Sequence, residues 1–105
     1  MALALALDDE GYLLDRTVWS PQIAEQLAVD EHIELTEVHW DLIALVQAYF
    51  VEFEHAPAMR PLVNWVKQHR GPNEGNSRFL HQLFPVSPAK QLARIAGLPK
   101  PTKCL

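Results

Sequence analysis

The chain has 105 residues, 49% of them apolar and 21% charged, and a formal net charge of −4. That is material for one domain around one hydrophobic core, and its balance of apolar and charged residues excludes a wholly disordered chain. No apolar run approaches the ~20 residues that a membrane-spanning helix needs, and a single cysteine excludes an internal disulfide.

The opening MALALALDDE has no basic residue ahead of its short apolar run, which three acids follow at once. It is expected to stay on the mature chain rather than act as a targeting signal. With no disulfide to form, a reducing, cytoplasmic setting fits best. Charge is unevenly spread. Residues 1–74 hold all 13 acids against four bases (Arg16, Arg60, Lys67 and Arg70), whereas residues 75–105 hold Arg78, Lys90, Arg94, Lys100 and Lys103 and no acid. A basic C-terminal third on an acidic body is either a solvated surface or a docking face for an anionic partner.

In chain order, residues 2–14 are expected to form a β-hairpin, with Ala and Leu alternating before an Asp8-Asp9-Glu10-Gly11 turn and Tyr12-Leu13-Leu14 returning. The rest reads as a helical bundle over about residues 20–97. Ser20-Pro21 supplies an N-cap and a first-turn proline for a helix that buries Ile23, Ala24, Leu27 and Ala28 and ends near Asp30. Thr36 can cap the longest helix, the expected spine of the core, in which Val38, Leu42, Leu45, Val46, Tyr49, Phe50 and Phe53 recur at helical spacing before Pro57. His39 is expected to cap or pack at a partly exposed position near its start.

A third helix begins around Met59 and ends by Gly71, presenting Leu62, Trp65 and Val66. After the loop Gly71-Pro72-Asn73-Glu74-Gly75-Asn76, a short helix runs from Ser77 to Phe84. Ser87-Pro88 starts a fifth helix, and Gly97 stands where a left-handed, helix-ending residue belongs. Residues 98–105 form an expected C-terminal arm. Its prolines, Pro99 and Pro101, prevent a helix and favour an extended chain that could project on the order of 20 Å.

Cys104 would ride on that arm. Thiolate is the reactive form of cysteine; Lys100 and Lys103 favour it, and the carboxylate of Leu105 opposes it. An exposed thiolate can take the outer sulfur of a partner's persulfide, and with no second cysteine to attack the product the sulfur should survive until another protein's thiol collects it. The five histidines, His32, His39, His55, His69 and His81, show no metal-ligand spacing, and no glycine-rich loop cradles a phosphate, so neither metal nor cofactor is expected. A helix-turn-helix reading of residues 20–53, which would make the chain a DNA-binding regulator, is disfavoured because Glu37 and Asp41 at the start of the second helix would repel a duplex.

The segments GNSRFL, LFP, PAKQ and above all IAGLPKPTKCL, with LTEVHW, EGYLLD and the YF-VEFEHAPAMR stretch, resemble the DsrC/TusE family of sulfur-relay proteins over nearly the whole chain. That resemblance implies a β-hairpin on an orthogonal helical bundle with a mobile C-terminal arm. The sulfite-reductase-associated branch carries a second cysteine where this chain has Ala93, and usually glycine where it has Lys103. Both departures point to the TusE-like branch, and hence to a sulfurtransferase whose catalytic residue is Cys104. It would take sulfur from a TusBCD-type complex and hand it to an MnmA-type thiolase for 2-thiouridine in transfer RNA. Arg94, Lys100 and Lys103 are candidates for docking or thiolate support. The alternative within the family is a carrier that serves sulfite reductase or other sulfur-oxidation proteins.

Overall fold

A computed structural model describes residues 6–101. It contains five α-helices: α1 (Pro21–Asp30), α2 (Glu37–Phe53), α3 (Met59–Arg70), α4 (Ser77–Leu83) and α5 (Pro88–Ile95), preceded by a single 3₁₀ turn at Arg16–Val18.

The expected β-hairpin over residues 2–14 is not formed. Among the described residues there is no strand, only an isolated antiparallel bridge between Leu7 and Leu13; residues 2–5 lie outside them. Two side-chain effects explain the difference. Asp8 Oδ1 accepts hydrogen bonds from the backbone N–H groups of Glu10 and Tyr12, both at 2.9 Å, which winds the chain into a local turn. Beyond it, the consecutive residues Tyr12 and Leu13 are both buried, at 2% and 5% exposure. A strand would put them on opposite faces; here both pack into the bundle, and the pairing stops at that single bridge, where the Asp8 N–H donates to the Tyr12 carbonyl at 2.8 Å and the Leu14 N–H to the Ala6 carbonyl at 3.0 Å.

The hub of the bundle is α5, which packs against α1, α2, α3 and α4, while α2 also packs on α3. The longest helix is therefore not the spine that its length suggests. In α5 Pro88, Ala89, Gln91, Leu92, Ala93 and Ile95 are all buried, and its alanines let neighbouring helices approach closely. The outward side of α2 exposes Ala44, Ala48 and Val51 to solvent. Each fully buried leucine, such as Leu42, Leu62, Leu80 or Leu92, contributes roughly 1.5–3 kcal/mol by leaving water.

Helix starts use side chains in ways that fix tertiary structure as well. Ser20 Oγ accepts from the Ile23 N–H at 3.3 Å, and Asn76 Oδ1 from the Phe79 N–H at 2.8 Å. His39 does more than cap. Its Nδ1 accepts from the Thr36 N–H at 3.1 Å, which assigns the ring proton to Nε2, and Nε2 donates to the Leu83 carbonyl at 3.0 Å. The ring also meets Phe84 edge-on, with centroids 5.1 Å apart. His39 is buried rather than partly exposed because it joins the start of α2 to the end of α4. Trp65 similarly ties α3 to α2, donating from Nε1 to the Leu45 carbonyl at 2.8 Å. Phe53, expected in the core, is 45% exposed at the end of α2.

Removing the His39 ring opens a hole beside Phe84 and takes the side-chain partner from the Thr36 N–H and the Leu83 carbonyl, both part-buried. His39→Ala is expected to lower unfolding free energy by about 2–4 kcal/mol, read from urea denaturation by circular dichroism.

Tyr12 has the opposite problem, since its hydroxyl is buried with no hydrogen-bond partner among the described residues. Burial raises its phenol above the ordinary value, against the opposing pull of Arg94. The folded state therefore holds this proton more tightly than the unfolded state, so stability is unaffected below the ordinary phenol pKa of about 10 and is lost as pH rises through the higher folded value. Tyr12→Phe should be neutral or stabilising by up to about 1 kcal/mol near neutral pH. Denaturant titrations should also show a shallower loss of stability above about pH 10 than in the wild type.

Candidate functional site at the root of the C-terminal segment

Helix α5 is buried along most of its length and through its C-terminal end, residues 95–98, where the backbone groups must be satisfied without water. At its start, Ser87 makes no side-chain cap bond. The buried Gln91 replaces it, its Oε1 accepting from the N–H groups of Val86 and Ser87, each at 3.1 Å.

At its end, Gly97 takes φ +77°. Its N–H donates to the Arg94 carbonyl at 3.1 Å, and the Leu98 N–H donates to the Ala93 carbonyl at 2.9 Å. These two bonds define a Schellman motif. The next two carbonyls are taken by side chains from elsewhere in the chain: Trp19 Nε1 donates to the Ile95 carbonyl and Gln47 Nε2 to the Ala96 carbonyl, both at 2.9 Å. Leu98 is buried at 4% exposure, whereas Pro99 and Lys100 are exposed. The chain is thus clamped as far as Leu98 and meets solvent at the next residue.

Of the residues singled out from the sequence, Cys104 and Lys103 lie outside the described residues, as does residue 105. Arg94 and Lys100 are both engaged. Arg94 forms two 3.2 Å bonds to the Glu31 carboxylate, from Nε and Nη2, and its guanidinium carbon stands 5.3 Å from the Tyr12 ring centroid. Lys100 Nζ lies 2.8 Å from a Glu10 oxygen, and that carboxylate raises the lysine's pKa, chiefly through the hydrogen bond. Both cations therefore tie α5 and the following segment to the acidic body. Ala93 is buried in the core at 2% exposure. The five histidines are not gathered into a metal site, and no group of three or more metal-ligating side chains occurs among the described residues.

Trp19 and Gln47, which clamp the root, carry no sequence signal that marks them, because 76 and 49 residues separate them from the carbonyls they hold. With Arg16, Phe50, Val51 and residues 96–98 they line a groove of about 250 Å3 beside the root.

A small helical bundle whose last helix is clamped at its end, with a proline directly after Leu98, defines the class, and comparison with known proteins gives it a family. Residues 2–105 match the family described as DsrC like protein. The chain belongs to that family. It is 50% identical over 101 residues to a protein of Pectobacterium atrosepticum named Sulfurtransferase TusE, covering 96% of this chain and 93% of that one. A protein of the same name from Salmonella choleraesuis is 46% identical with the same coverage. Among solved structures, Allochromatium vinosum DsrC superposes with a TM-score of 0.87 at 46% identity, covering 96% of this chain and 90% of that one. The oxidized gamma-subunit of dissimilatory sulfite reductase (DsrC) from Archaeoglobus fulgidus gives 0.82 at 43% identity, covering 96% and 92%.

Gly97 is the most exacting position in the clamp. A Cβ there would lie 2.5 Å from Trp19 Cδ1, and the left-handed backbone disfavours any side chain. Gly97→Ala is expected to cost about 2–4 kcal/mol, whereas Trp19→Phe, which leaves the Ile95 carbonyl unpaired but keeps most of the ring packing, should cost about 1–2 kcal/mol. Urea unfolding followed by circular dichroism checks both, and a Gly97→Ala loss no larger than that of Trp19→Phe would contradict the clamp as described.

Proposed function

We propose that this chain is a persulfide carrier: a sulfurtransferase of the sulfur relay in which Cys104 accepts a sulfur atom from one protein and yields it to another. The observation that carries this reading is the solitary thiol six residues beyond Leu98, the last clamped residue. Its membership of the DsrC-like family and its likeness to proteins named Sulfurtransferase TusE support the same reading.

The chemistry is a sulfane-sulfur transfer. The Cys104 thiolate attacks the outer, hydrogen-bearing sulfur of the donor's Cys–S–SH. The donor's S–S bond breaks, its cysteine leaves as thiolate, and Cys104 becomes Cys104–S–SH. No external oxidant or reductant is consumed. The same step with the recipient's thiolate discharges the carrier. A second cysteine in the chain could attack the persulfide and expel the sulfur, but the chain has only one cysteine and position 93 holds a buried alanine.

In this reading the donor is a TusBCD-type complex and the recipient an MnmA-type thiolase that modifies transfer RNA to 2-thiouridine, all in the cytoplasm. The absence of a second thiol also argues against the alternative of a two-cysteine partner of sulfite reductase. Residues 75–105 hold five basic side chains, but Arg94 and Lys100 are matched by Glu31 and Glu10. That leaves less cationic surface than an RNA-gripping protein requires, and it suits a carrier whose partners are proteins.

Intact-mass measurement after incubation with a persulfide donor tests the step. Wild type should gain the mass of one sulfur, reversed by a thiol reductant, and Cys104→Ser should gain none. A wild type that takes up no sulfur, or a serine variant that takes up as much, would end the carrier reading. Loss of the gene should deplete 2-thiouridine in transfer RNA, read by nucleoside mass spectrometry.

A further inference from the structure

The groove beside the root has a composition that the transfer chemistry does not use. It is lined by the aromatic Trp19 and Phe50, the amide of Gln47 and residues 96–98, with Val51, 82% exposed, and one cation, Arg16. The Arg16 guanidinium carbon stands 4.3 Å from the Phe50 ring centroid. Asp15 fixes the turn that puts it there, its Oδ1 accepting from the Thr17 N–H at 3.0 Å and from the Thr17 hydroxyl at 2.6 Å.

Arg70, Arg94 and Lys100 each have a carboxylate partner; Arg16, like Arg60, Lys67, Arg78 and Lys90, forms no salt bridge among the described residues, and the neighbouring Asp15 carboxylate, turned to Thr17, acts on it only through its field. An arginine stacked flat on an aromatic ring still presents its N–H edge, and that edge suits a carboxylate. A mainly apolar trough with one cation on its rim that forms no salt bridge is complementary to an apolar side chain flanked by an acid.

We propose that this groove is the docking site for an acidic, apolar segment of the protein that loads sulfur onto Cys104. A large apolar side chain of that segment would fill the trough between Trp19 and Phe50, and a neighbouring carboxylate would pair with Arg16. The proposal rests on the carrier reading above and adds to it where the donor is gripped. The position is suitable. Leu98 lines the groove, and Cys104 is six residues on, so the thiol lies within about 20 Å of a donor seated there.

Charge selects the donor over the recipient. A protein that works on RNA is cationic around its active site, and Arg16 would repel such a surface. RNA itself is a poor fit, because phosphate binding draws on many cations and this groove offers one beside a mainly apolar lining.

Two variants place negative charge on the rim without entering the core: Arg16→Glu and Val51→Glu, both at exposed positions. Their urea midpoints establish that they fold. The rate of sulfur loading from a persulfidated TusBCD-type complex is measured against that from glutathione persulfide, which needs no docking. The ratio of the two rates is expected to fall at least tenfold in both variants and to be largely kept by Arg16→Lys. Affinity for the unloaded complex, measured in a Cys104→Ser background by titration calorimetry, should fall by a similar factor.

An unchanged affinity in both variants would overturn the docking site whatever becomes of the sulfur. Normal loading with slowed delivery to the thiolase would overturn it in favour of the recipient, and loss of direct binding to transfer RNA would overturn it in favour of RNA. If wild type binds the complex through the groove yet gains no sulfur from either donor, the carrier reading fails and the docking site stands.

Discussion

The structure depends on burying one short helix on nearly every side. Helix α5 has eight residues, six of them buried, and touches all four other helices. At its buried C-terminal end, residues 95–98, the carbonyl groups cannot be left to water, and each one left unpaired would cost about 1–3 kcal/mol. The chain answers with Gln91 at one end, and at the other with the Schellman turn, the Trp19 indole and the Gln47 amide. The segments that supply those groups are thereby drawn against α5, and the rest of the bundle arranges itself around that requirement.

This constraint also makes a functional device out of a structural one. The hydrogen bonds that satisfy the end of α5 immobilise the chain up to Leu98, and a proline follows immediately. The segment beyond Leu98 therefore starts from a defined origin, six residues before the one cysteine of the sequence. Arg94 and Lys100, which the sequence offers as docking residues, contribute to that origin by ion pairing with Glu31 and Glu10. The exposed Lys100–Glu10 pair contributes little to stability, whereas Arg94–Glu31 is largely shielded from solvent; together they neutralise part of the basic C-terminal third and hold it to the acidic body. Arg16, in the acidic part of the sequence, forms no salt bridge among the described residues and lies over the Phe50 ring.

The segments by which the family is recognised turn out to carry structural tasks. In GNSRFL, Gly75 lets the loop lie against α3, where a Cβ would come within 2.2 Å of Lys67 Cα, and Asn76 caps α4. In LFP, the Leu83 carbonyl and the Phe84 ring receive His39. In PAKQ, Pro88 opens α5 and Gln91 caps it from within. In IAGLP, Ile95 through Leu98 form the clamp. A reading confined to neighbours in sequence finds the helix starts and stops, because caps, prolines and left-handed glycines act within four residues of where they stand. It sees the tasks of Trp19, Gln47 and His39 only once the fold brings their partners to them.

By itself the sequence determined the five helices and nearly all their limits, the helix-ending role of Gly97 and the presence of one thiol beyond it. Those are local matters of capping, periodicity and composition. Only the tertiary structure decided that Tyr12 and Leu13 are both buried against the bundle, so that pairing stops at one bridge, that short α5 and not long α2 is the hub, that His39 is buried, and that Arg94 and Lys100 are matched while Arg16 stands on the rim of a groove. Each of these turns on contacts between segments distant in the chain. Burial and charge pairing are properties of the assembled surface, and no spacing along the sequence encodes them.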